Sequence, residues 1–182
     1  WQKDKSVNKQ VEAFTVGNDY LLDNKLVQYD CDASIAHAKV LEDANIISKD
    51  ELQQLEGELN NIKALHQKGK FKINKEDEDC HTAIENHLTK KLQDVGKKIH
   101  TARSRNDQVL AALRLYERQE LYEIKNELLQ VVKSLKTIAK NNIKMPGYTH
   151  MQKAMPSSIK IWATAFQESI EDNIQLIDFT KN

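Results

Sequence analysis

The sequence predicts an all-α protein, and two features of its 182 residues carry that prediction. Residues that break helices are scarce, since there are only five Gly and two Pro. Apolar residues also recur every three or four positions through most of the chain, which is the spacing of one helical face. Hydrophobic residues make up 40% and charged residues 30% of the chain, a balance that suits amphipathic helices packed around a core.

The charge balance and the cysteines argue against several classes of function. The 27 basic and 27 acidic side chains leave no net field that would attract nucleic acid or an anionic membrane. We expect neither a signal peptide nor a membrane span, because no apolar run approaches roughly 20 residues. Cys31 and Cys80 show no metal-ligand spacing and no disulfide framework. These observations predict a cytoplasmic protein without a cofactor.

Helix signals begin after a weakly periodic first stretch. Residues 1–29 contain scattered apolar anchors, and we assign no element to them. Asp32 or Ser34 can cap a helix that is expected to end near Asn45. This helix carries His37, and a lone histidine on a helix is more often structural or on the surface than functional.

Two further helices are predicted before residue 100. The run Ser48–Glu51 is a capping box, and the apolar spacing that follows predicts a helix that ends at Gly69. The acidic cluster Glu76–Asp79 suits the start of another helix, which runs through Ala83 and is expected to end at Gly96 as its C-terminal cap.

A much longer helix is predicted from Asn106 or Asp107, either of which can cap it, to Asn142. About 35 residues without Gly or Pro would form a rod roughly 50 Å long. Its apolar seam has the spacing of bundle helices and consists of Leu121, Ile124, Leu128, Val131, Leu135 and Ile138. Pro156 is expected in the first turn of one more helix, whose apolar stripe runs from Ile159 to Ile177.

These patterns predict two domains. Residues 1–105 would form an N-terminal helical domain, and residues 106–182 would supply the first two helices of a central helical bundle. The modest helices of the first hundred residues cannot cover two long seams. We therefore expect partner subunits, further chain, or both.

One polar turn, His100–Gln108, has the composition of an anion-binding site. Its central residues bring two guanidinium groups, a hydroxyl, an amide and a carboxylate to the start of a helix, and they are Arg103, Ser104, Arg105, Asn106 and Asp107. Guanidinium groups suit carboxylates or phosphates, and a helix N-terminus adds free N–H groups and partial positive charge. The alternative is a capped, solvated loop between two helices.

A second polar segment, Pro146–Gln152, follows the long helix. His150 is a natural proton-transfer group at neutral pH, and Thr149 and Gln152 could donate hydrogen bonds to an oxyanion. The alternative is a loop histidine satisfied by the backbone. A straight rod of about 50 Å would hold the two polar segments apart within one subunit. In an oligomer of antiparallel rods, however, segments of different subunits could meet.

A zinc site is not predicted. His81 and Glu85 lie four residues apart on one helical face, which is the separation of the two histidines in the helical zinc-protease motif. That motif also needs Glu directly after the first His and a second His four positions on. Thr82 and Glu85 occupy those positions.

Three runs of the sequence closely resemble the argininosuccinate lyase family. They are Asp77–Glu85, Lys98–Val109 and Pro146–Gln152, in the order and at the separations that the family shows. This family is a member of the fumarase/aspartase superfamily, and the eye-lens δ-crystallins are its relatives. The resemblance covers nearly the whole chain, which would correspond to the first two-fifths of a family member.

The resemblance implies an activity and a set of roles. The activity is cleavage of argininosuccinate to arginine and fumarate by β-elimination, the last step of arginine biosynthesis. The implied substrate contacts are Ser104, Arg105, Asn106 and Thr149. Gln152 is added to them as a possible hydrogen-bond donor in the second polar segment. The implied acid/base residue is His150. The implied supporting residues are Arg103, Asp107, His81 and Glu85.

The resemblance also implies an almost entirely helical fold and a homotetramer. In the family, a central bundle of long helices forms between subunits, and loops of three subunits build each active site. Small-molecule substrate is the only other partner implied. The family's third motif, a mobile Ser-Ser-x-Met-Pro-x-Lys-x-Asn loop with the catalytic Ser, is expected after residue 182. We therefore expect the 182-residue chain alone to be inactive and to self-associate.

Two departures from the family leave alternatives open. Trp1 is followed by Gln-Lys-Asp-Lys where the family has Gly-Gly-Arg-Phe, which puts the family's usual arginine contact in doubt. Gly17 stands where many members have a substrate-binding Ser, and it can offer only its backbone N–H. One alternative is a crystallin-like structural homologue without turnover. Another is a sister lyase that releases fumarate from a related succinylated substrate.

Overall fold

The computed structural model describes residues 8–181, so Trp1 and the residues that follow it directly lie outside the described part. The helices are α1 (Lys9–Val16), α2 (Asp19–Leu22), α3 (Val27–Asp43), α4 (Lys49–Gln67), α5 (Cys80–Leu92), α6 (Asp94–Lys97), α7 (Arg105–Ala139) and α8 (Ile159–Thr180). Three short 3-10 turns are Asp23–Lys25, Lys75–Asp77 and Lys98–His100. One antiparallel hairpin joins β1 (Lys144–Thr149) to β2 (Gln152–Ser158). The predicted all-α class is confirmed.

The described residues form two compact units, a first unit that ends at Tyr116 and a second unit that begins at Glu117. This division falls inside α7, which is continuous over 35 residues. The long helix predicted from the sequence is therefore confirmed. The domain boundary between residues 105 and 106 stays a prediction.

The core of the first unit forms where α3, α4 and α5 pack on one another. Its most deeply buried apolar side chains are Val27, Cys31, Ala38, Leu41, Leu55, Leu59, Ile62, Ile84 and Leu88. Burying a large aliphatic side chain contributes about 1.5–3 kcal/mol, so this cluster dominates the stability of the unit. The capping box of α4 is confirmed, since Ser48 and Glu51 exchange backbone and side-chain hydrogen bonds. Gly69 follows the end of α4 and has a φ of 66°, as expected for a glycine that ends a helix.

Two predicted helix boundaries are wrong. Helix α3 begins at Val27, so Asp32 and Ser34 lie inside the helix and cap nothing. Helix α5 ends at Leu92, with Gln93 in the left-handed region, so Gly96 is not its cap. Gly96 instead lies in α6, where a Cβ would stand 2.4 Å from the Leu88 carbonyl oxygen. Close packing, rather than a helix end, requires this glycine.

Helix α7 begins at Arg105, earlier than predicted, because Ser104 takes the capping position. The Ser104 hydroxyl accepts a hydrogen bond from the Asp107 amide at 3.2 Å. The Asp107 carboxylate in turn accepts one from the Ser104 amide at 3.0 Å. This reciprocal pair satisfies two of the donors that a helix start leaves free, so neither Asn106 nor Asp107 is the cap.

The second unit contains the rest of α7, the hairpin and α8. Ion pairs link the two helices, with Lys125 Nζ 2.6 Å from Asp178 and Lys136 Nζ 2.8 Å from Glu171. Between these helices the buried apolar side chains are Val132, Leu135, Ala163 and Ile174. Part of the predicted seam stays exposed in this unit, namely Ile124, Val131 and Ile138. Among the described helices, none is both long and apolar enough to cross a lipid bilayer.

The hairpin was not predicted. Pro156 lies in β2 opposite Pro146 of β1, so its placement in the first turn of a helix is wrong. Proline is tolerated here because both strands of a two-stranded hairpin are edge strands. Ser158 caps α8 instead, and its hydroxyl accepts a hydrogen bond from the Ile161 amide at 3.2 Å.

Candidate functional site

The polar turn connects the last 3-10 turn of the first unit to α7. Ala102 has a φ of 57°, in the region that is strained for residues with a Cβ. The amides of Arg105 and Asn106 lie in the first turn of α7, where backbone N–H groups have no acceptor within the helix. The local geometry therefore provides the helix N-terminus that the sequence predicted as an anion site.

Arg105 is held by α5. Its Nη2 donates to the Thr82 hydroxyl at 3.3 Å, and its Nη1 donates to Gln108 Oε1 at 3.2 Å. The same Nη1 lies 3.6 Å from Glu85 Oε1 and 3.9 Å from Asp79 Oδ1. A substrate carboxylate would therefore have to compete with two protein carboxylates for this guanidinium.

Glu85 links α5 to the polar turn, because its Oε1 also lies 3.1 Å from His100 Nδ1. His81 stands four residues earlier but faces the interior, with only 2% of its side chain exposed. Its Nδ1 is 3.1 Å from Asp30 Oδ2, in an arrangement that falls short of hydrogen-bond geometry. Glu85 thus reaches the predicted site directly, whereas His81 contacts it only through Asp30.

Arg103 and Asp107 bond within the turn and to the helices below it. Arg103 Nη1 donates to the Ser34 hydroxyl at 3.1 Å, while its Nε and Nη2 are buried without a partner among residues 8–181. Burial lowers the pKa of Arg103, and the nearby Asp30 carboxylate opposes that shift. The hydrogen bond from Ser104 lowers the pKa of Asp107. These contacts fit residues that hold the shape of the turn.

The three predicted carboxylate binders of the turn differ in availability. The Ser104 hydroxyl is engaged with Asp107 at 2.7 Å, and Arg105 is engaged with α5. The Asn106 side chain is exposed and forms no hydrogen bond within the described residues. Asn106 is therefore the donor that could bind a ligand without first breaking a hydrogen bond within the protein.

Three residues of α3 and the last residue of the turn, Gln108, were missed as site residues by the sequence reasoning. Asp30 is fully buried, and both of its carboxylate oxygens accept from Gln108 Nε2 at 3.1 Å. Ser34 donates to the same carboxylate at 3.4 Å, and His37 Nε2 donates to the Thr101 carbonyl at 2.9 Å. The spacing of the three residues on α3 was a usable signal, because positions i, i+4 and i+7 share one helical face.

Within the described residues, one cluster could in principle bind a metal ion. It consists of Asp23, Cys80 and His81, whose potential ligand atoms all lie within 4.8 Å of one another. The Asp23 carboxylate already accepts from the Cys80 amide at 3.1 Å. Burial strongly raises the pKa of the Cys80 thiol, which disfavours the thiolate that binds metals. The cluster is therefore a poor metal site.

The hairpin gathers the other predicted site residues at its tip. His150 and Met151 form the two-residue turn, with φ values of 50° and 62°, and Thr149 pairs with Gln152 beside them. Left-handed residues with a Cβ each cost about 1–2 kcal/mol, so this turn is strained. Thr149, His150 and Gln152 are all exposed. An exposed imidazole is accessible to a ligand, and histidine is a common proton-transfer residue in enzymes.

The site residues therefore fall into two groups. The polar turn, with Glu85 beside it, belongs to the first unit and offers donors suited to a carboxylate. The hairpin belongs to the second unit and offers an imidazole, a hydroxyl and an amide. Binding of an anion and transfer of a proton are the two tasks that these groups can perform.

Comparison with known proteins gives consistent relatives over nearly the whole chain. A family model described as Lyase matches residues 4–181. The argininosuccinate lyase of Thermotoga neapolitana is 47% identical over 180 residues, which are 98% of this chain and 45% of that protein. The argininosuccinate lyase of Bacteroides thetaiotaomicron is 45% identical over 97% of this chain and 40% of its own length. The chain spans less than half the length of these relatives.

Solved structures share the fold. An EDDS lyase variant with bound fumarate matches with a TM-score of 0.75 and 19% identity, over 98% of this chain and 35% of that chain. The fumarate lyase:delta crystallin of Brucella melitensis matches with a TM-score of 0.76 and 15% identity, over 94% and 43% of the two chains. At these identities the likeness establishes the fold alone.

Proposed function

We propose, from the premise that this chain belongs to the lyase family matched over residues 4–181, that it is part of an argininosuccinate lyase. The proposed reaction converts argininosuccinate to arginine and fumarate by β-elimination, as the last step of arginine biosynthesis in the cytoplasm. The exposure of one residue in each polar segment supports the proposal. Asn106 in the polar turn can bind a carboxylate, and His150 in the hairpin can transfer a proton.

The chemistry explains why an anion site is required. Removal of the proton next to the succinyl carboxylate places a second negative charge on that carboxylate. The C–N bond then breaks, fumarate forms, and the arginine nitrogen leaves with the bonding electrons and gains a proton. Preorganised donors lower the energy of the doubly charged intermediate. The Asn106 amide and the N-terminus of α7 supply such donors, and Arg105 would join them by releasing Glu85.

His150 is proposed as the acid/base residue. Its imidazole could move the proton directly or polarise a hydroxyl group or water molecule that does so. Thr149 and Gln152 flank it at the hairpin tip and would hydrogen-bond the substrate. Thr149 and Gln152 pair across the strands, so the hairpin itself sets their spacing. No cofactor is proposed for this reaction.

A homotetramer is proposed as the working form. Ile124 and Val131 of α7 are each 45% exposed, and Trp162 and Phe166 of α8 are 47% and 52% exposed. Burying these side chains against other subunits would remove apolar surface from water. The same assembly would let the polar turn of one subunit meet the hairpin of another. Nucleic acid and membranes are not proposed as partners.

A chimera tests the proposed activity. This chain would replace the 180 matched residues of the Thermotoga neapolitana relative, and ultraviolet absorbance would follow fumarate release from argininosuccinate. Release that depends on His150 supports the lyase. A folded chimera without turnover favours the crystallin-like alternative. The observation in its favour is exposed Gly17, which stands at the position where many family members have a substrate-binding serine. Adenylosuccinate and aspartate, assayed in parallel, test the sister-lyase alternative.

The 182-residue chain alone is a separate case. It carries two of the three loops that the family uses, so we expect negligible fumarate release from it. Its exposed apolar side chains should also drive self-association. Sedimentation of the isolated chain and the same absorbance assay test both expectations. A compact monomer with substantial turnover would overturn them.

A further inference from the structure

We propose that one polar face of α3, consisting of Asp30, Ser34 and His37, positions the polar turn for substrate binding. The proposal rests on the function proposed above and adds positioning residues to it. The three side chains follow one another at i, i+4 and i+7, so they lie on one side of the helix. Each reaches a different part of the polar turn, and none of them was predicted to act there.

The first anchor holds the beginning of the turn. His37 Nε2 donates to the Thr101 carbonyl at 2.9 Å. The next residue, Ala102, has the strained φ of 57°, and Arg103 directly after it donates from Nη1 to the Ser34 hydroxyl at 3.1 Å. Two contacts with α3 therefore flank the strained residue. A left-handed alanine persists only where its surroundings fix it, and these contacts provide that constraint.

The second anchor holds the end of the turn. Asp30 accepts two hydrogen bonds of 3.1 Å from Gln108 Nε2. The other end of the Gln108 amide, Oε1, accepts from Arg105 Nη1 at 3.2 Å. The Gln108 backbone amide donates to the Ser104 carbonyl at 3.2 Å. Asp30 thus fixes the first turn of α7 and, through one side-chain amide, the direction of a guanidinium proposed to bind substrate.

Ser34 connects the two anchors. Its hydroxyl donates to Asp30 Oδ1 at 3.4 Å and accepts from Arg103 Nη1 at 3.1 Å. A buried carboxylate is tolerated only when donors surround it, and Gln108, Ser34 and the nearby Arg103 charge provide them. The result is one continuous network from α3 through both ends of the turn.

The placement of these groups argues for a role beyond packing. Apolar side chains of similar volume would stabilise a helix face at least as well as buried polar groups do. Buried polar groups instead favour one specific arrangement where their hydrogen bonds are made, as those of Gln108 and Ser34 with Asp30 are, while Nε and Nη2 of Arg103 have no partner among residues 8–181. Ser34 and His37 both contact residues of the polar turn through hydrogen bonds. A site that must present Asn106 and Arg105 to a dicarboxylate needs such a fixed backbone.

Hydrogen exchange of the 182-residue chain tests the positioning directly. In His37→Leu and Ser34→Ala, the amides of Arg103 and Ser104, which donate to the His100 carbonyl and the Asp107 carboxylate, should exchange about tenfold faster than in the wild type, whereas α4 amides should not change. His37→Gln keeps a donor at a similar reach and should restore protection. Val40→Ala, a change at a 60% exposed site on the same helix, is the control. Unchanged exchange in the turn, an equal increase in α4, or an unprotected wild-type turn would each overturn the proposal.

The KM and kcat of the chimera provide a second test, because a residue with a purely structural role would change neither constant in the folded enzyme. Misplaced donors bind the substrate carboxylate less well and also stabilise the doubly charged intermediate less, so His37→Leu should raise KM about tenfold and lower kcat as well. His37→Gln should return KM to the wild-type value. A fall in kcat with unchanged KM would contradict positioning. An inactive wild-type chimera would refute the proposed lyase activity, while the exchange experiment would still decide the role of α3.

Discussion

The polar turn and the hairpin tip both contain backbone in the left-handed region. Among residues 8–181, the polar turn is hydrogen-bonded to packed helices, whereas the hairpin tip has cross-strand pairing. Contacts from α3 and α5 hold the residues around Ala102. The hairpin tip at His150 and Met151 has cross-strand pairing beside it, and Met151 is 97% exposed. Comparable backbone strain is thus supported by tertiary contacts in one region and by local pairing in the other.

This difference separates two kinds of site residue. The first unit can preorganise its part of the site, because the donors around the turn belong to a buried network. The hairpin presents its imidazole without such support, so its final geometry would depend on what covers it. Variants of the polar-turn residues that belong to the buried network should therefore affect stability and binding together, whereas exposed Asn106 should affect binding alone. Variants at the hairpin tip should affect the reaction alone.

The largest expected effect is on the reaction, at the hairpin tip. His150→Asn should slow turnover of the chimera by about 10²–10⁴-fold, because the acid/base group is lost. Asn tolerates a positive φ, so the hairpin and the free energy of unfolding should be retained. Met151→Ala, in the same turn, is the control and should keep its activity. Near-wild-type turnover of His150→Asn would remove this residue from the mechanism.

The next effect is on stability, in the first unit. Asp30→Ala leaves Gln108 and Ser34 without their acceptor and removes the carboxylate near Arg103. We expect the free energy of unfolding to fall by about 3 kcal/mol, as for other broken buried charge networks. Asp43→Ala, at an exposed site on the same helix, should change it by less than about 0.5 kcal/mol. Urea denaturation measures both, and equal effects would contradict the buried network.

Asn106 should separate binding from stability. Ser104 caps α7, so Asn106→Ala should change the free energy of unfolding by less than about 0.5 kcal/mol while raising KM in the chimera. Asn106→Asp should fold equally well, since an acid suits the first turn of a helix, but its charge should repel a dicarboxylate. Ser104→Ala is the contrasting variant and should lose about 0.5–2 kcal/mol of stability. Unaltered substrate binding by Asn106→Asp would refute the carboxylate contact.

A smaller effect is expected on the pH dependence of stability. Burial lowers the pKa of His37 below its ordinary value of 6.5, and the positive charges of Arg103 and His100 act in the same direction. The unfolded chain therefore binds the proton more tightly than the folded chain. The stabilisation is fully present above pH 6.5 and is lost as the pH falls through the lower folded pKa. His37→Gln should flatten this part of the profile in urea denaturation, and Val40→Ala, at an exposed site on the same helix, should not.

The smallest effect tests the strain in the polar turn. Ala102→Gly relieves the left-handed strain but gives the unfolded chain more freedom, so the two contributions nearly cancel. We expect a change in stability of less than about 1 kcal/mol. In the His37→Leu background, however, Ala102→Gly should slow hydrogen exchange in the turn back toward the wild-type rate. Without the strain at position 102, the turn opens less often once the hydrogen bond from His37 is lost. Equal exchange in the single and double variants would show that Ala102 is not what His37 restrains.

Much of the fold was predictable because it depends on local patterns. The capping box of α4 and the length of α7 follow from residues close together in the sequence. The errors occurred where packing overrode local signals. Ser34 has the chemistry of a cap but lies inside α3, since Val27 and Cys31 extend its apolar face. Gly96 has the chemistry of a helix end but is required by its contact with Leu88.

The candidate site divides in the same way. The motifs around Asn106 and His150 were recognised from sequence, and they stay predictions as site residues. The network of Asp30, Ser34, His37 and Gln108 was not recognised, because its partners lie between 64 and 78 residues apart. The engagement of Arg105 by Glu85 and Asp79 was missed for the same reason. A spacing rule marks a helical face but does not show what that face contacts.

The sequence by itself determined the helical class, the long rod of α7, the family and the chemical character of both polar segments. These properties reside in composition, in periodicity and in short motifs, all of which act over a few residues. The tertiary structure alone decided which donors are already engaged, which carboxylate is buried and which residues hold the polar turn. Such properties depend on side chains that meet only after α3, α5 and the start of α7 have packed, and burial then makes each of those contacts consequential.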